Sequence, residues 1–367
     1  MSEKTILVTG GSGFIGSNLV RMLRQDEAFR VINLDKLTYA ANPETLADLK
    51  NDDGYIFVQG DIGNRELVRW IFKQYHPVGV LNLAAESHVD RSIESPEDFV
   101  QTNIVAAYRL LDEALFYWRT LPDVEKKEFR FLHVSTDEVF GALGDDGFFT
   151  EETRYSPNSP YSASKAASDH FVRAYQHTYG LPTLITNCSN NYGPYQFPEK
   201  LIAMMIFNAL RGELLPVYGD GSNVRDWIYV EDHCRAIMSV FEKGQVGETY
   251  VIGANSEQKN IDLVHTICNI MNELLPLDKN PGLNAKKINN YEDLIHFVTD
   301  RPGHDQRYAI DAKKMHNELG WEPEMSLEEG LRQTVRWYIE NLDWVNQASG
   351  GKFDDWVNKN YAWRGAY

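Results

Sequence analysis

The chain reads as an α/β protein, a doubly wound parallel sheet with a smaller, mostly C-terminal α/β domain, on three observations. Short apolar runs alternate with helical patterns through the first half of the sequence, the rhythm of βαβ units. A glycine-rich turn joins the first apolar run to the first helical pattern. Acidic and hydroxylic residues stand again and again at the ends of the apolar runs, where an open α/β sheet keeps its ligands.

Thr5-Ile6-Leu7-Val8-Thr9 is a buried strand that runs into Gly10-Gly11-Ser12-Gly13-Phe14-Ile15-Gly16, followed by helical spacing at Leu19, Val20 and Leu23. Strand, glycine turn and helix in that order make a dinucleotide loop and so a Rossmann-type domain. Gly10 is expected to permit the tight turn, Gly13 to let backbone N–H groups approach a pyrophosphate, and Gly16 to let helix pack closely on sheet. The spacing is one residue longer at the front than the usual fingerprint. A second strand, Val31-Ile32-Asn33-Leu34, ends on Asp35, placed to meet an adenosine ribose. Its charge repels a 2′-phosphate and favours NAD over NADP, although Lys36 beside it pulls the other way.

Further strands are predicted at residues 55–58, ending near Asp61, then 78–83, 129–134 and 182–186, with helices over 99–117 and from near Ala163. Gly, Pro and aromatic residues then crowd residues 190–229, and the strand and helix after Trp227 are expected to return to the sheet. The predicted division is a Rossmann domain over 1–188 rejoined by about 227–252, a second domain from 189–226 and about 253–345, and a tail over 346–367. One crevice should collect Asp35, Asp61, residues 84–87, residues 135–138 and residues 187–191 at the carboxyl ends of the strands.

A formal net charge of -17 over 367 residues excludes a nucleic-acid binder, whose affinity rests on neutralising phosphates. Any anionic substrate must therefore be held by locally placed arginines and lysines. No apolar run is long enough to cross a bilayer, and the expectation is a cytoplasmic enzyme. Cys188, Cys234 and Cys268 lack C-x-x-C spacing and the histidines form no H-x-x-x-H cluster, so neither a disulfide framework nor a metal site is expected.

The chemistry-bearing stretch is Thr136-Asp137-Glu138 with Tyr161 and Lys165 downstream. A tyrosine is a poor base at neutral pH, but a lysine four residues later on a helix shares its face and favours the phenolate. Two adjacent carboxyls can serve as base and acid when their surroundings differ. By itself the acidic pair would equally suit an exposed turn at a strand end.

The glycine loop, Asp35-Lys36-Leu37-Thr38-Tyr39, Asp61-Ile62, Leu83-Ala84-Ala85-Glu86-Ser87-His88-Val89-Asp90, Ser135-Thr136-Asp137-Glu138-Val139-Phe140-Gly141, the Tyr161/Lys165 pair, Asn190-Asn191-Tyr192-Gly193-Pro194 and Asp300-Arg301-Pro302-Gly303-His304-Asp305 stand in one order. Together, from about residue 5 to about 337, they resemble the dTDP-glucose 4,6-dehydratase branch of the extended short-chain dehydrogenase/reductase family. That resemblance implies oxidation of a nucleotide-linked glucose at carbon 4 with bound NAD, loss of water across carbons 5 and 6, and return of the hydride to carbon 6. It casts Tyr161 as the base for the carbon 4 hydroxyl, Lys165 as its activator and a ribose contact, Thr136 as a hydrogen-bond partner of the sugar, Glu138 as the carbon 5 base and Asp137 as the acid. It assigns NAD contacts to Phe14, Ile15, Asp35, Lys36, Leu37, Thr38, Asp61, Ile62, Leu83, Ala84, Ala85, Ser87, Thr102 and Asn191. Substrate contacts fall on Ser87, Asn190, Lys200, Leu201, Pro216, Val217, Tyr218, Arg225, Asn260, Arg301 and His304, with Arg225 and Arg301 suited to a diphosphate.

His88 and Asp90 match the resemblance too and are read as shaping the loop. The resemblance also implies a homodimer paired through helices of the sheet domain, with those at 99–117 and near 163 as candidates. Three rivals are a 4,6-dehydratase of another nucleotide sugar, a UDP-sugar 4-epimerase, and a dinucleotide-binding sensor. The epimerases carry small, hydroxylic residues where this chain has Asp137 and Glu138, and a sensor would have lost Tyr161, Lys165 or the acids.

Overall fold

The computed structural model describes residues 4–25, 29–283 and 287–348, and the expected tail lies outside them from residue 349 onward. Twelve strands occur among the described residues: β1 Lys4–Thr9, β2 Phe29–Asp35, β3 Tyr55–Gln59, β4 Gly79–Asn82, β5 Arg130–Thr136, β6 Thr183–Cys188, β7 Asn190–Tyr192, β8 Leu215–Tyr218, β9 Val224–Tyr229, β10 Thr249–Ile252, β11 Glu257–Lys259 and β12 Ile295–Val298. Seven of these form one sheet in the order β10-β6-β5-β4-β1-β2-β3, and every pairing in it is parallel.

Side chains alternate across this sheet, and helices cover both faces, so its strands are apolar on both. Ile6 and Val8 of β1 pack with Leu19, Val20, Val240 and Phe241, from the helices Phe14–Gln25 and Val230–Lys243. Leu7, between them in sequence, packs on the opposite face with Ile71, Phe72, Leu110 and Val172, from Arg65–Tyr75, Ala107–Thr120 and Pro160–Tyr179. The chain runs outward from β1 through β3 and then resumes at β4 on the other side of β1. That reversal makes a topological switch point, and a crevice opens beyond the carboxyl ends of the strands there.

A separate apolar core gathers the helices Leu201–Arg211, Asn260–Leu274 and Leu327–Glu340. Two small sheets, β11-β9-β7 and β12-β8, accompany it. Of the segment expected to rejoin the large sheet, β10 pairs with β6 and the helix Val230–Lys243 covers one face. Trp227, Ile228 and Tyr229 do not join it. They belong to β9, which pairs with β7 and β11.

Two helix boundaries differ from expectation for physical reasons. The helix expected near Ala163 starts at Pro160, because Ser159 and Ser162 form a reciprocal capping box and Pro occupies the first turn without needing a donor. The helix expected over 99–117 is helical from Pro96 to Thr120, but Val100–Ala106 is wound as a π turn. Such wide turns re-aim side chains and gather at functional sites.

Candidate active site

The crevice encloses roughly 2370 Å³ of space, open mouth included.

At one end, the glycine loop closes on itself. Gly10 has a φ of +70°, and a Cβ there would meet the Ala84 backbone nitrogen at 2.7 Å. At Gly16 a Cβ would fall 2.1 Å from the Gly10 carbonyl oxygen. Gly16 is therefore required by the loop's own backbone rather than by close packing of helix on sheet, which corrects the expectation. Gly13 tolerates a Cβ at 3.4 Å; its N–H donates to the Gly10 carbonyl at 3.2 Å and its carbonyl accepts from Ser17 N–H at 2.9 Å. The first-turn N–H groups of Phe14, Ile15 and Gly16 have no intrahelical acceptor and sit at a positive helix end facing the crevice.

Asp35 accepts the Ser12 N–H at 2.9 Å on one carboxylate oxygen and the Leu37 N–H at 2.8 Å on the other. Burial pushes its pKa up and those two donors oppose the shift. Leu37, at a φ of +57°, does not line the crevice and acts through this contact. Lys36 lies 2.8 Å from Asp61, so the cation beside Asp35 is matched by a carboxylate. Ile62, Thr38, Leu83, Ala84, Ala85 and Thr102 line the same end.

The π turn puts Asn103 against the loop after β4. Its Oδ1 accepts the Glu86 N–H at 2.9 Å, while its Nδ2 donates to the Glu86 carbonyl and to Ser164 Oγ, each at 2.9 Å. The loop carrying Ser87 is thus clamped to the helix carrying Tyr161 and Lys165.

In the middle of the crevice stand Thr136, Asp137, Glu138, Tyr161 and Lys165. Thr136 ends β5 and caps the short turn Asp137–Phe140, accepting the Glu138 N–H at 3.3 Å. Its hydroxyl also donates to Asp137 Oδ1 at 3.3 Å. Asp137 is driven well above the usual carboxylate range by burial, by Glu138 and by Asp226, against the weaker pull of Arg225 and Thr136. Its Oδ2 is buried with no hydrogen-bond partner among the described residues. Glu138 is pushed up by burial but faces the cations of Arg301, Lys200 and Arg225, which hold it down.

Lys165 departs from expectation. Its ammonium donates to the Val134 carbonyl at 2.8 Å and lies 3.4 Å from His133 Nε2. Burial lowers its pKa while Asp169 and Cys188 raise it. Tyr161 is held well above 10 by burial first and then by the charge of Glu138, while Thr136 opposes the shift. The Val134 carbonyl and the buried Asp169 compete with Tyr161 for the lysine's charge.

At the far end, Lys200 donates to the Ser87 carbonyl at 2.7 Å. Arg301 lies 3.8 Å from Asp90 and keeps a buried Nε without a hydrogen-bond partner among the described residues. Arg225, expected to fork onto a diphosphate, instead donates to the carbonyls of Val224 at 2.7 Å and Asp305 at 2.8 Å, under the Tyr308 ring. These carbonyls take up part of the fork, and its charge reaches Asp137 and Glu138. Tyr218 donates to Asp90 at 2.9 Å, and His304 bonds Asp300 at 2.7 Å with its pKa lowered to about 4 by burial and by Arg301 and Arg225. Leu201, Pro216, Val217, Asn190, Asn191 and Asn260 complete this wall.

With that geometry in hand, the comparisons are specific. The family described as GDP-mannose 4,6 dehydratase matches residues 7–334. The dTDP-glucose 4,6-dehydratase of Xanthomonas campestris pv. campestris (strain B100) is 56% identical over 349 residues, 95% of this chain and 97% of that protein. The chain belongs to this dehydratase family. The dTDP-glucose 4,6-dehydratase 1 of Escherichia coli (strain K12) is 51% identical over 368 residues, covering 98% and 99%. The crystal structure of dTDP-glucose 4,6-dehydratase from Bacillus anthracis in complex with NAD matches with a TM-score of 0.81 and 44% identity, covering 94% of this chain and 99% of that one.

Several crevice residues of this dehydratase-family chain were not singled out from sequence. Glu199 accepts from Tyr39 at 3.0 Å and from Arg91 at 3.3 Å while nearly fully buried. Its neighbour Lys200 was the available signal. Asn103, which binds the Glu86 backbone from outside the crevice lining, carried none, since a buried asparagine in an apolar run looks structural. Among the described residues no group of three His, Cys, Asp or Glu could hold a metal ion, and no helix is long and apolar enough to cross a membrane.

Proposed function

We propose that this chain is a dTDP-glucose 4,6-dehydratase that uses NAD and regenerates it in each turnover, giving dTDP-4-keto-6-deoxyglucose. The observation that carries this reading is the opposed setting of two adjacent carboxyls beside a tyrosine, Asp137 among carboxylates and Glu138 among cations. The relatives above 50% identity act, by name, on dTDP-glucose.

The residues of the upper crevice fit a dinucleotide. A cradle that excludes Cβ atoms at Gly10 and Gly16 lies against a helix N-terminus, and the Asp35 carboxylate is fixed by two backbone donors. Phe14, Ile15, Asp35, Thr38, Asp61, Ile62 and Thr102 would hold NAD, with Lys165 and Asn191 toward its reactive end. When bound, NAD supplies a hydride acceptor at carbon 4 of the sugar and a hydride donor at carbon 6.

Tyr161 takes the proton of the carbon 4 hydroxyl, with Thr136 hydrogen-bonding at that site. A ketone at carbon 4 acidifies the carbon 5 hydrogen. Glu138, kept ionisable by three cations, removes that proton, and Asp137, kept protonated by burial, protonates the departing carbon 6 hydroxyl. Glu138 then returns its proton to carbon 5 as the 6-deoxy product forms. Arg301, with Lys200 and His304, anchors the nucleotide end, where a guanidinium suits a diphosphate.

We place the enzyme in the cytoplasm, where three buried free thiols remain reduced. It pairs with a second copy through Ala107–Thr120 and Pro160–Tyr179, which between them leave Phe116, Phe171 and Tyr179 exposed. Sedimentation of wild type against a Phe116→Asp/Phe171→Asp double variant tests this, and a monomeric wild type overturns it.

The reaction is tested by supplying dTDP-glucose deuterated at carbon 4 and following the sugar nucleotide by mass spectrometry and proton NMR. Loss of one water with deuterium on carbon 6 is expected. Unchanged mass with inversion at carbon 4 would make the protein an epimerase instead.

A further inference from the structure

Residues 194–200, which lead into the helix Leu201–Arg211 of the second core, are fastened to the sheet domain at both ends. Asn18, in the helix that leaves the glycine loop, donates to the Pro194 carbonyl at 3.1 Å, and the Arg21 guanidinium lies 4.8 Å from the centre of the Tyr195 ring. At the other end Glu199 accepts the Tyr39 hydroxyl at 3.0 Å on one carboxylate oxygen and Arg91 Nε at 3.3 Å on the other. The Arg91 guanidinium also lies 3.7 Å from the centre of the Tyr39 ring, and Phe197 meets that ring edge-on at 5.8 Å. Lys200 donates to the Ser87 carbonyl at 2.7 Å. The Glu199 side chain is only 2% exposed. A buried carboxylate stripped of one partner is strongly destabilised, so Tyr39, Arg91 and Glu199 should engage and part as a unit.

The place of this junction follows from the sheet. Tyr39 stands on the loop after β2 and Arg91 on the segment after β4, and β1 lies between those two strands. A bridge from one loop to the other therefore passes over the carboxyl end of β1, where the glycine loop begins. The residues fitted to NAD lie on both sides of the bridge and beneath it. Asp35 and Thr38 come just before Tyr39, Leu83 to Ala85 come shortly before Arg91, and Gly10 to Gly16 follow β1. The crossing segment itself lends Gln196, Phe197, Glu199 and Lys200 to the lining of the same crevice.

We propose that Tyr39, Arg91 and Glu199 form a clasp that holds residues 194–200 across the dinucleotide site, so that NAD enters or leaves only when the clasp opens and stays bound through many turnovers. The proposed reaction returns NAD to its starting state each time, so slow release does not slow turnover. The proposal rests on reading this crevice as an NAD site.

The test loads the protein with NAD labelled in the nicotinamide ring, adds unlabelled NAD in excess, and follows the label left on the protein by rapid filtration. Wild type, Tyr39→Phe, Glu199→Gln and the double variant are compared, each checked for fold by circular dichroism. Wild type should keep its label through many turnovers of dTDP-glucose. Tyr39→Phe, which deletes one hydrogen bond to a charged group, should release NAD on the order of 10-fold faster while its kcat with NAD in excess matches wild type. The double variant should release NAD more slowly than the product of the two single effects, because both substitutions weaken one contact; Arg91→Met replaces Glu199→Gln in the comparison should the glutamine disturb folding. Label lost from wild type within a single turnover, unchanged release from Tyr39→Phe, or single effects that multiply fully in the double variant would each overturn the clasp. A wild type that takes up no label fails the cofactor reading itself, which the amount bound at the start reports separately.

Discussion

Asp137 and Glu138 adjoin in the chain but live in opposite fields: Asp137 is pressed by burial and by the charges of Glu138 and Asp226, whereas Glu138 looks onto Arg301, Lys200 and Arg225. One is thereby kept as an acid and the other as a base. Glu138→Gln should still oxidise carbon 4, visible as the near-ultraviolet absorbance of reduced cofactor, yet fail to exchange the carbon 5 hydrogen with deuterated solvent. Its kcat should drop about 10²–10⁴-fold. Unimpaired exchange would reject the assignment.

The same pair sets the pH profile. Asp137 must be protonated, and its pKa is raised, so it serves until pH climbs past that raised value. Turnover should fall on the alkaline side, and Asp137→Asn should lower kcat and delete that limb. Glu138 must be ionised, and Arg301 is the first of the cations holding its pKa down. Removing that charge in Arg301→Met should move the acid limb of kcat to higher pH as well as raise KM. A limb that stays put would mean Arg301 serves substrate alone.

The glycine loop permits a graded test, because its glycines face different neighbours. Gly16→Ala drives a Cβ onto the Gly10 carbonyl, and Gly10→Ala adds a left-handed φ to contact with the Ala84 backbone. Each should cost about 1–3 kcal/mol and strip NAD from the purified protein. Gly13→Ala meets only ordinary contact at 3.4 Å and should stay within about 1 kcal/mol of wild type in thermal unfolding.

Much of this site was legible because its parts are local. The strand–loop–helix context of Gly10 to Gly16, the acid at the end of β2 and the Thr136-Asp137-Glu138 run each lie within a few residues, and a parallel sheet brings strand ends to one edge. What was missed depends on partners far away in sequence. A carbonyl that takes Arg225 lies at Asp305, 80 positions on, and Asn103 acts by way of a π turn that no periodicity announces. Lys165 was assigned to Tyr161 by helical spacing, while its ammonium lies near His133 of β5 and feels Asp169.

Asp169 offers a measure of what that buried arrangement costs. Its side chain is fully buried; one oxygen accepts from Ser135 at 2.8 Å and Tyr155 at 2.9 Å, and the other lies 3.5 Å from His133. Burial outweighs the attraction of Lys165 and lifts its pKa from 3.8 to about 6. A carboxyl whose folded pKa is raised binds more protons folded than unfolded between those two values, so stability is full below about pH 4 and declines until about pH 6. Over that interval the loss is roughly 3 kcal/mol. Asp169→Asn keeps an acceptor for Ser135 and Tyr155 and cannot titrate. Urea unfolding of the variant should lack this decline, so that its stability relative to wild type rises by about that amount between pH 4 and pH 7. Parallel pH profiles would show that Asp169 carries no such penalty, and that its charge is fully matched in the folded protein.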